Sequence, residues 1–199
     1  MKLLVTGAGG MVGSMIAEKA TARGWDCVAL TRYQLDITDA TKVDGAIVTH
    51  RPDVVINAAA YTAVDAAESN VAEAMSVNGA GAGNIAQAAA KHDAALVHIS
   101  TDYVFDGSAH KPYKPGDTVA PINTYGESKL AGEIAVRDEA VRSAIIRTSW
   151  IYSHDGQNFV RTMLRLAKDR SELKVVNDQY GSPTSASDLA DALLGVADA

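Results

Sequence analysis

Apolar residues along this chain fall into short unbroken runs, separated by stretches in which they recur every three or four positions. "KLLVTG", "CVAL", "DVVINAAA", "ALVHIS" and "SAIIRTS" show no polar alternation, which predicts strands buried on both faces. Two further short strands are expected, a third in chain order within "LDITD" and a late one at "LKVV". The helical periods begin with "MVGSMIAEKATARG", for which Gly24 is a stop signal. "ATKVDGAIVTH" follows with Asp39 at its N-cap, then a long Ala-rich helix over 73–92, "YGESKLAGEIAV", "NFVRTMLRLAKD" and "SASDLADALLGV". In the last of these, Ser185 and Asp188 stand at capping-box spacing. Strand–helix alternation of this kind predicts an α/β fold with a doubly wound parallel sheet covered on both faces. Ligands of such sheets bind beyond the carboxyl ends of the strands.

Composition narrows this picture without redirecting it. At 199 residues the chain suits one domain with a small appendage. It is 47% hydrophobic and 21% charged, enough for a sizeable core. The net charge of −6 argues against nucleic acid or an anionic membrane as partner, although a local positive pocket remains compatible with an anionic ligand. Cys27 is the single cysteine, expected as a small apolar residue in a buried strand. No apolar run approaches the ~18 residues of a membrane span, and the N-terminal run is too short for a signal peptide. A cytoplasmic protein is expected.

"VTGAGGMVGS" leaves the first strand and opens the first helix. Gly7 permits the tight turn, Gly10 the approach of a phosphate to the backbone, and Gly13 the packing of helix on sheet. The helix then offers free amides, those of Met11 and Val12 among them, to a pyrophosphate. Val12 stands where the last glycine of the plain G-x-G-x-x-G register would fall. This context predicts a Rossmann-type dinucleotide site. NAD-preferring sites carry an acid about 20 residues on, but the second strand ends "ALTRYQ", with Arg32 in its place. Arginine pairs with a 2′-phosphate, so NADPH is the expected cofactor, with NADH the second candidate. Asp36 and Ile37 are expected to border the adenine, and the small residues of "NAAAYT" to let the cofactor lie against backbone.

Tyr125 and Lys129 lie one turn apart on one face of a helix, and Ser100 and Thr101 end the preceding strand. A free tyrosine has a pKa of about 10, too high for ready proton exchange at neutral pH. A neighbouring ammonium and a positive nicotinamide ring favour phenolate and lower it. Tyr125 is therefore the expected proton donor to a substrate carbonyl. Lys129 is expected to hold the nicotinamide ribose, and Thr101 to hydrogen-bond the substrate oxygen.

Together "TGAGGMVG", "STDYVFDG" and "YGESKLAGE" resemble the extended short-chain dehydrogenase/reductase superfamily. "VINAAAYTAVDAAE", "RTSWIY" and "VVNDQYGSPTSASDLA" narrow the resemblance to the dTDP-4-dehydrorhamnose reductase family, over essentially the whole chain. It implies reduction of a dTDP-4-keto sugar by NAD(P)H, with catalysis by Thr101, Tyr125 and Lys129. It further implies sugar-nucleotide contacts at Thr101, Asp102 and Trp150. Cofactor contacts are implied at the glycine loop, Asp39, Ala58, Ala59, Ala60 and Thr62, with Ser100 beside them. Residues 1–150 are then expected to form the cofactor domain and 151–199 a small, incomplete C-terminal substrate region. Family members continue past this segment, so a homo-oligomer or a second subunit is expected to close the substrate site. Two other readings share the scaffold: an NADP-binding regulatory subunit like that of methionine adenosyltransferase, and another nucleotide-sugar epimerase or dehydratase.

The five histidines show no metal-ligand spacing among themselves or with Cys27, so no metal is expected. Asp65 and Glu68 read as a solvated helix start. Asn78 is expected in the helix facing the site, holding a water or a backbone carbonyl or else packing in the core.

Overall fold

The computed structural model describes residues 1–140 and 142–199. Five parallel strands form the central sheet: β1 (Lys2–Thr6), β2 (Asp26–Leu30), β3 (Val54–Asn57), β4 (Ala95–Thr101) and β5 (Ser143–Thr148). Their order is β2-β1-β3-β4-β5, so the winding reverses between β1 and β3. The apolar strand runs are unbroken because each face of the sheet carries helices. Leu3, Val5, Ile56 and Val97 face α1 (Met11–Ala22) and α8 (Ala186–Ala197). Leu4, Val55 and Leu96 face α2 (Ala40–His50), α5 (Ala82–Lys91) and α6 (Thr124–Glu139). The remaining helices are the single turns α3 (Val64–Ala67) and α4 (Val71–Ala74), and α7 (Phe159–Asp169).

Helix starts follow local chemistry. Asp39 accepts from the Lys42 amide at 3.1 Å and caps α2. Asn123 accepts from Gly126 N at 2.7 Å and caps α6. The Ser185 hydroxyl accepts from Asp188 N at 3.4 Å to start α8. Glu68, expected as part of a solvated helix start, binds the head of α6 instead: Thr124 N and Oγ1 donate to its carboxylate at 2.8 and 3.0 Å.

Several elements differ from expectation. "LDITD" forms no strand, because the Asp36 carboxylate accepts from Thr38 N at 3.0 Å and Thr38 Oγ1 at 2.8 Å, curling the segment into a turn. Leu35 and Ile37 still reach the core. "LKVV" forms no strand either; Val175 and Val176 are exposed and pair with no neighbouring strand. The helix expected over 73–92 is interrupted by a π segment, Met75–Gly81, between α4 and α5. A small parallel pair, β6 (Ile151–Tyr152) with β7 (Thr184–Ser185), was not legible in the pattern. Cys27 is only partly buried because β2 is the sheet's edge, and that burial pushes its thiol pKa up. The closing helix α8 packs into the same core as α1, with Leu193 and Leu194 fully buried. Residues 186–197 of the expected C-terminal region therefore pack in the same layer as α1, against the central sheet.

Candidate active site

The carboxyl ends of β1, β3, β4 and β5 open onto one cleft of about 630 Å³. Its floor is the glycine loop. Gly7 takes a left-handed φ of +67°, and a Cβ there would lie 2.5 Å from Ala59 N. A Cβ on Gly13 would lie 2.3 Å from the Gly7 carbonyl oxygen. Gly13 thus serves to fold the loop onto its own helix, a different contact from the helix-on-sheet packing expected of it. Gly10 is the N-cap of α1 and supplies no side-chain partner, so the first amides of α1 face the cleft free. Those amides and the dipole behind them fit an anion of pyrophosphate type.

A buried polar row lies beneath the reversal of winding. Thr6 Oγ1 donates to Asn57 Oδ1 at 2.7 Å, and Ala59 N donates to the same oxygen at 3.1 Å. Asn57 Nδ2 meets His98 Nδ1 at 3.0 Å. These residues are in register across β1, β3 and β4, so one amide fixes the loop after β3 against the glycine turn. His98 is held neutral by burial, its pKa well below the usual value, with Lys129 adding repulsion. Ala58, Ala59, Ala60 and Thr62 line the cleft from this loop. Asn78, in the π segment, ties the loop to α6: its Oδ1 accepts from Tyr61 N at 2.8 Å, and its Nδ2 donates to Tyr61 O at 3.0 Å and Ser128 Oγ at 2.9 Å. Asn78 thus both holds a backbone carbonyl and is buried.

Arg32, Asp36 and Ile37 line the β2 side. Arg32 is exposed, its guanidinium 3.4 Å from Glu73. Asp39 stands apart from the cleft, its carboxylate occupied by the α2 amide and by Lys42 Nζ at 3.1 Å.

Thr101, Tyr125 and Lys129 meet at the other side. Lys129 is buried and donates to Ile99 O at 2.7 Å. Burial pushes its pKa down to about 8, against the opposing pull of Glu133. The phenol of Tyr125 departs from the lowered pKa expected of it. Burial pushes it up to about 12, with Asp102 and Tyr103 adding to the rise and the Thr101 hydroxyl working against it. Desolvation of the phenol is the chief cause, and the charge that adds to the rise is the half-buried Asp102. Thr101 Oγ1 donates to Asp102 Oδ1 and accepts from Tyr103 N, both at 3.2 Å. Tyr103 meets the Tyr125 ring edge-on at 5.6 Å. Ser100 borders the cleft, but its hydroxyl turns away and donates to Glu133 Oε1 at 2.6 Å. Trp150 is 43% exposed at the cleft's rim, at φ +47°, with its indole packed over Gly181.

Sequence reasoning missed Glu133 and Arg147, the Thr6–Asn57–His98 row and the aromatic neighbour Tyr103. A signal existed for Glu133, which follows Lys129 by four residues on the same helix face. None existed for the row, whose members lie on three strands. Among the described residues no cluster of metal-ligating side chains is present, and no helix is long and apolar enough to cross a membrane.

The family model described as "RmlD substrate binding domain" matches residues 1–199. The chain is 49% identical over 203 residues to the dTDP-4-dehydrorhamnose reductase of Mycobacterium tuberculosis (strain H37Rv), covering 100% of this chain and 66% of that protein. It is 45% identical over 193 residues to the spore coat polysaccharide biosynthesis protein SpsK of Bacillus subtilis, covering 97% and 68%. The crystal structure of dTDP-4-dehydrorhamnose reductase from Bacillus anthracis in complex with NADP superposes with a TM-score of 0.96 at 42% identity, over 100% of this chain and 71% of that one. The chain thus spans about two thirds of the length of these relatives.

Proposed function

Because this chain belongs to the dTDP-4-dehydrorhamnose reductase family, we propose that it reduces the 4-keto group of dTDP-4-dehydro-L-rhamnose with NADPH, giving dTDP-L-rhamnose. The observation that carries the reading is the meeting of Thr101, Tyr125 and Lys129 in the cleft whose floor is the glycine loop. The bound NADP of the Bacillus anthracis relative supports the choice of cofactor.

The free amides of α1 bind the pyrophosphate, and Gly7 and Gly13 keep the loop close enough for backbone to reach it. Arg32 exchanges its exposed partner Glu73 for a 2′-phosphate, a bidentate acceptor of higher charge. When bound, the cofactor supplies a hydride to the carbonyl carbon. Tyr125, protonated throughout the neutral range with its pKa near 12, donates its proton to the carbonyl oxygen. One hydride and one proton together make the alcohol. Thr101 orients that oxygen by hydrogen bonding, and Asp102 fixes the Thr101 hydroxyl. Lys129, anchored by one of its protons on Ile99 O, offers the others to the ribose and the phenolate as it forms. Asp102 and Trp150 form the sugar-nucleotide side of the cleft.

The test is calorimetry with NADPH, followed by NADPH oxidation with dTDP-4-dehydrorhamnose. Oxidation that requires both the sugar nucleotide and Tyr125 supports the reductase. NADPH binding without turnover at any sugar concentration would replace it with a regulatory subunit. Consumption of a nucleotide sugar without net NADPH oxidation would replace it with an epimerase or dehydratase.

A further inference from the structure

Lys129 and Glu133 stand one turn apart on the buried face of α6, and both are bound to consecutive residues of β4. Lys129 Nζ donates to Ile99 O at 2.7 Å, and Ser100 Oγ donates to Glu133 Oε1 at 2.6 Å. Glu133 is fully buried. Arg147, opposite Ser100 in the sheet register, grips it with Nε on Oε1 at 2.8 Å and Nη2 on Oε2 at 2.7 Å. Arg137, one turn further along α6, adds Nη2 on Oε2 at 2.8 Å. A carboxylate with four donors is expensive to desolvate and strongly fixed once made. The proposed reaction assigns it no step, yet it sits where β4 delivers Thr101 to the Tyr125–Lys129 face.

We propose that Glu133 is a positioning residue for the catalytic pair: its buried carboxylate, gripped by Arg147 and Arg137, fastens the end of β4 to α6 through Ser100, and so seats Lys129 against the Ile99 carbonyl and Thr101 beside Tyr125. This rests on the reading of Lys129 as a catalytic group. Among the described residues no carboxylate lies within ion-pair distance of Lys129, so its charge has only the Ile99 carbonyl as direct partner. The charged and titratable groups around it are Tyr125, Glu133 and Arg137 on α6, His98 on β4, Arg147 on β5, and Asp102 and Tyr103 after β4. Burial pushes Lys129 toward the neutral form, His98 is itself held neutral, and Glu133 is the group that opposes the loss of charge. Burial disfavours the Glu133 carboxylate too, but hydrogen bonds from Arg147 and Ser100 hold it ionised.

The experiment follows Lys129 itself, by a pH titration of its 13Cε resonance in the full chain, assigned with Lys129→Arg. The parent midpoint should lie near 8. Glu133→Gln keeps the shape and removes the charge, and should lower the midpoint by about half a unit or more. Ser100→Ala removes the donor that ties β4 to the carboxylate and leaves every charge in place. Amide hydrogen exchange at the end of β4 should then quicken by about tenfold or more. Faster exchange in Ser100→Ala and a lowered midpoint in Glu133→Gln support the proposal. Exchange unchanged in Ser100→Ala, or a midpoint unmoved in a folded Glu133→Gln, overturns it. If Glu133→Gln fails to fold, the Ser100→Ala arm decides alone. Neither arm depends on turnover, so a failure of the reductase reading would show separately, as absent NADPH oxidation.

Discussion

A half-buried tyrosine beside a buried lysine sets two opposite demands on protonation. Burial raises Tyr125 to about 12 and lowers Lys129 to about 8, because it favours the neutral form of each. For a reduction this division is useful: the phenol keeps the proton it must give, and the lysine remains charged in the neutral range. The reduction rate should therefore fall as pH rises through about 8, where Lys129 loses its charge, and not near 12, where Tyr125 would ionise. A pH–rate profile under saturating NADPH checks the position of that limb. Tyr125→Phe should cut turnover by about 10²- to 10⁴-fold while leaving NADPH affinity within about threefold, since general acid catalysis is lost and the wall of the cleft is not. Single-turnover kinetics beside calorimetry separates the two. Arg32 governs a different property. It is exposed and only loosely held by Glu73, so Arg32→Asp should weaken NADPH more than NADH by placing like charge against a 2′-phosphate. Titration with both cofactors reads the change in their ratio.

The loop–helix junction that follows β1 draws its properties from contact distances. Gly13 sits against the Gly7 carbonyl with no room for a methyl group, whereas Gly45, within α2, has open space around its missing Cβ. The same substitution should act oppositely at the two sites. Gly13→Ala should displace the loop and reduce NADPH affinity by about tenfold or more, in proportion to the phosphate contacts it misaligns. Gly45→Ala should raise stability by about 0.5–1 kcal/mol, through reduced backbone freedom in the unfolded chain. Calorimetric titration and denaturant melts together distinguish a cradle glycine from a helix glycine. The π segment shows why one element escaped sequence reading. "MSVNGAG" keeps its small residues facing α6, where Gly79 lies against Ala131 and Gly132 against the Asn78 carbonyl. The wider turn aims the Asn78 amide at Tyr61 and Ser128, and no periodicity announces an added residue per turn.

At the scale of the molecule, the chain returns after β6, α7 and β7 to lay α8 beside α1. Lys19 of α1 and Arg23 at its C-cap both reach Asp191 of α8, at 2.5 and 3.0 Å, over the buried Leu189, Leu193 and Leu194. The exposed ion pairs contribute little; the leucines carry the contact. Leu193→Ala should cost about 2–5 kcal/mol of global stability, as for other fully buried leucines. A denaturation curve showing a much smaller loss would mean that α8 is an accessory to the core and not part of it. α7 is built differently: none of its residues is buried, and Phe159 and Leu164 are exposed.

The sequence alone determined the parallel α/β layering, the glycine loop, the helix caps at Asp39 and Ser185, and the approach of Tyr125 to Lys129. Each of these rests on residues close together in the chain, where spacing and side-chain type decide the outcome. What tertiary structure decided required partners from distant segments. "LDITD" had the apolar residues of a strand, but Asp36 had Thr38 to bond and the edge strand β2 gained no neighbour. The upward shift of Tyr125 comes first from burial, and then from Asp102 and Tyr103 beside it. The Thr6–Asn57–His98 row and the grip of Arg147 on Glu133 exist only once β1, β3, β4 and β5 are in register. Local pattern specifies where a side chain points along its own element; the dielectric and the charges it meets there are set by what the rest of the chain packs against it.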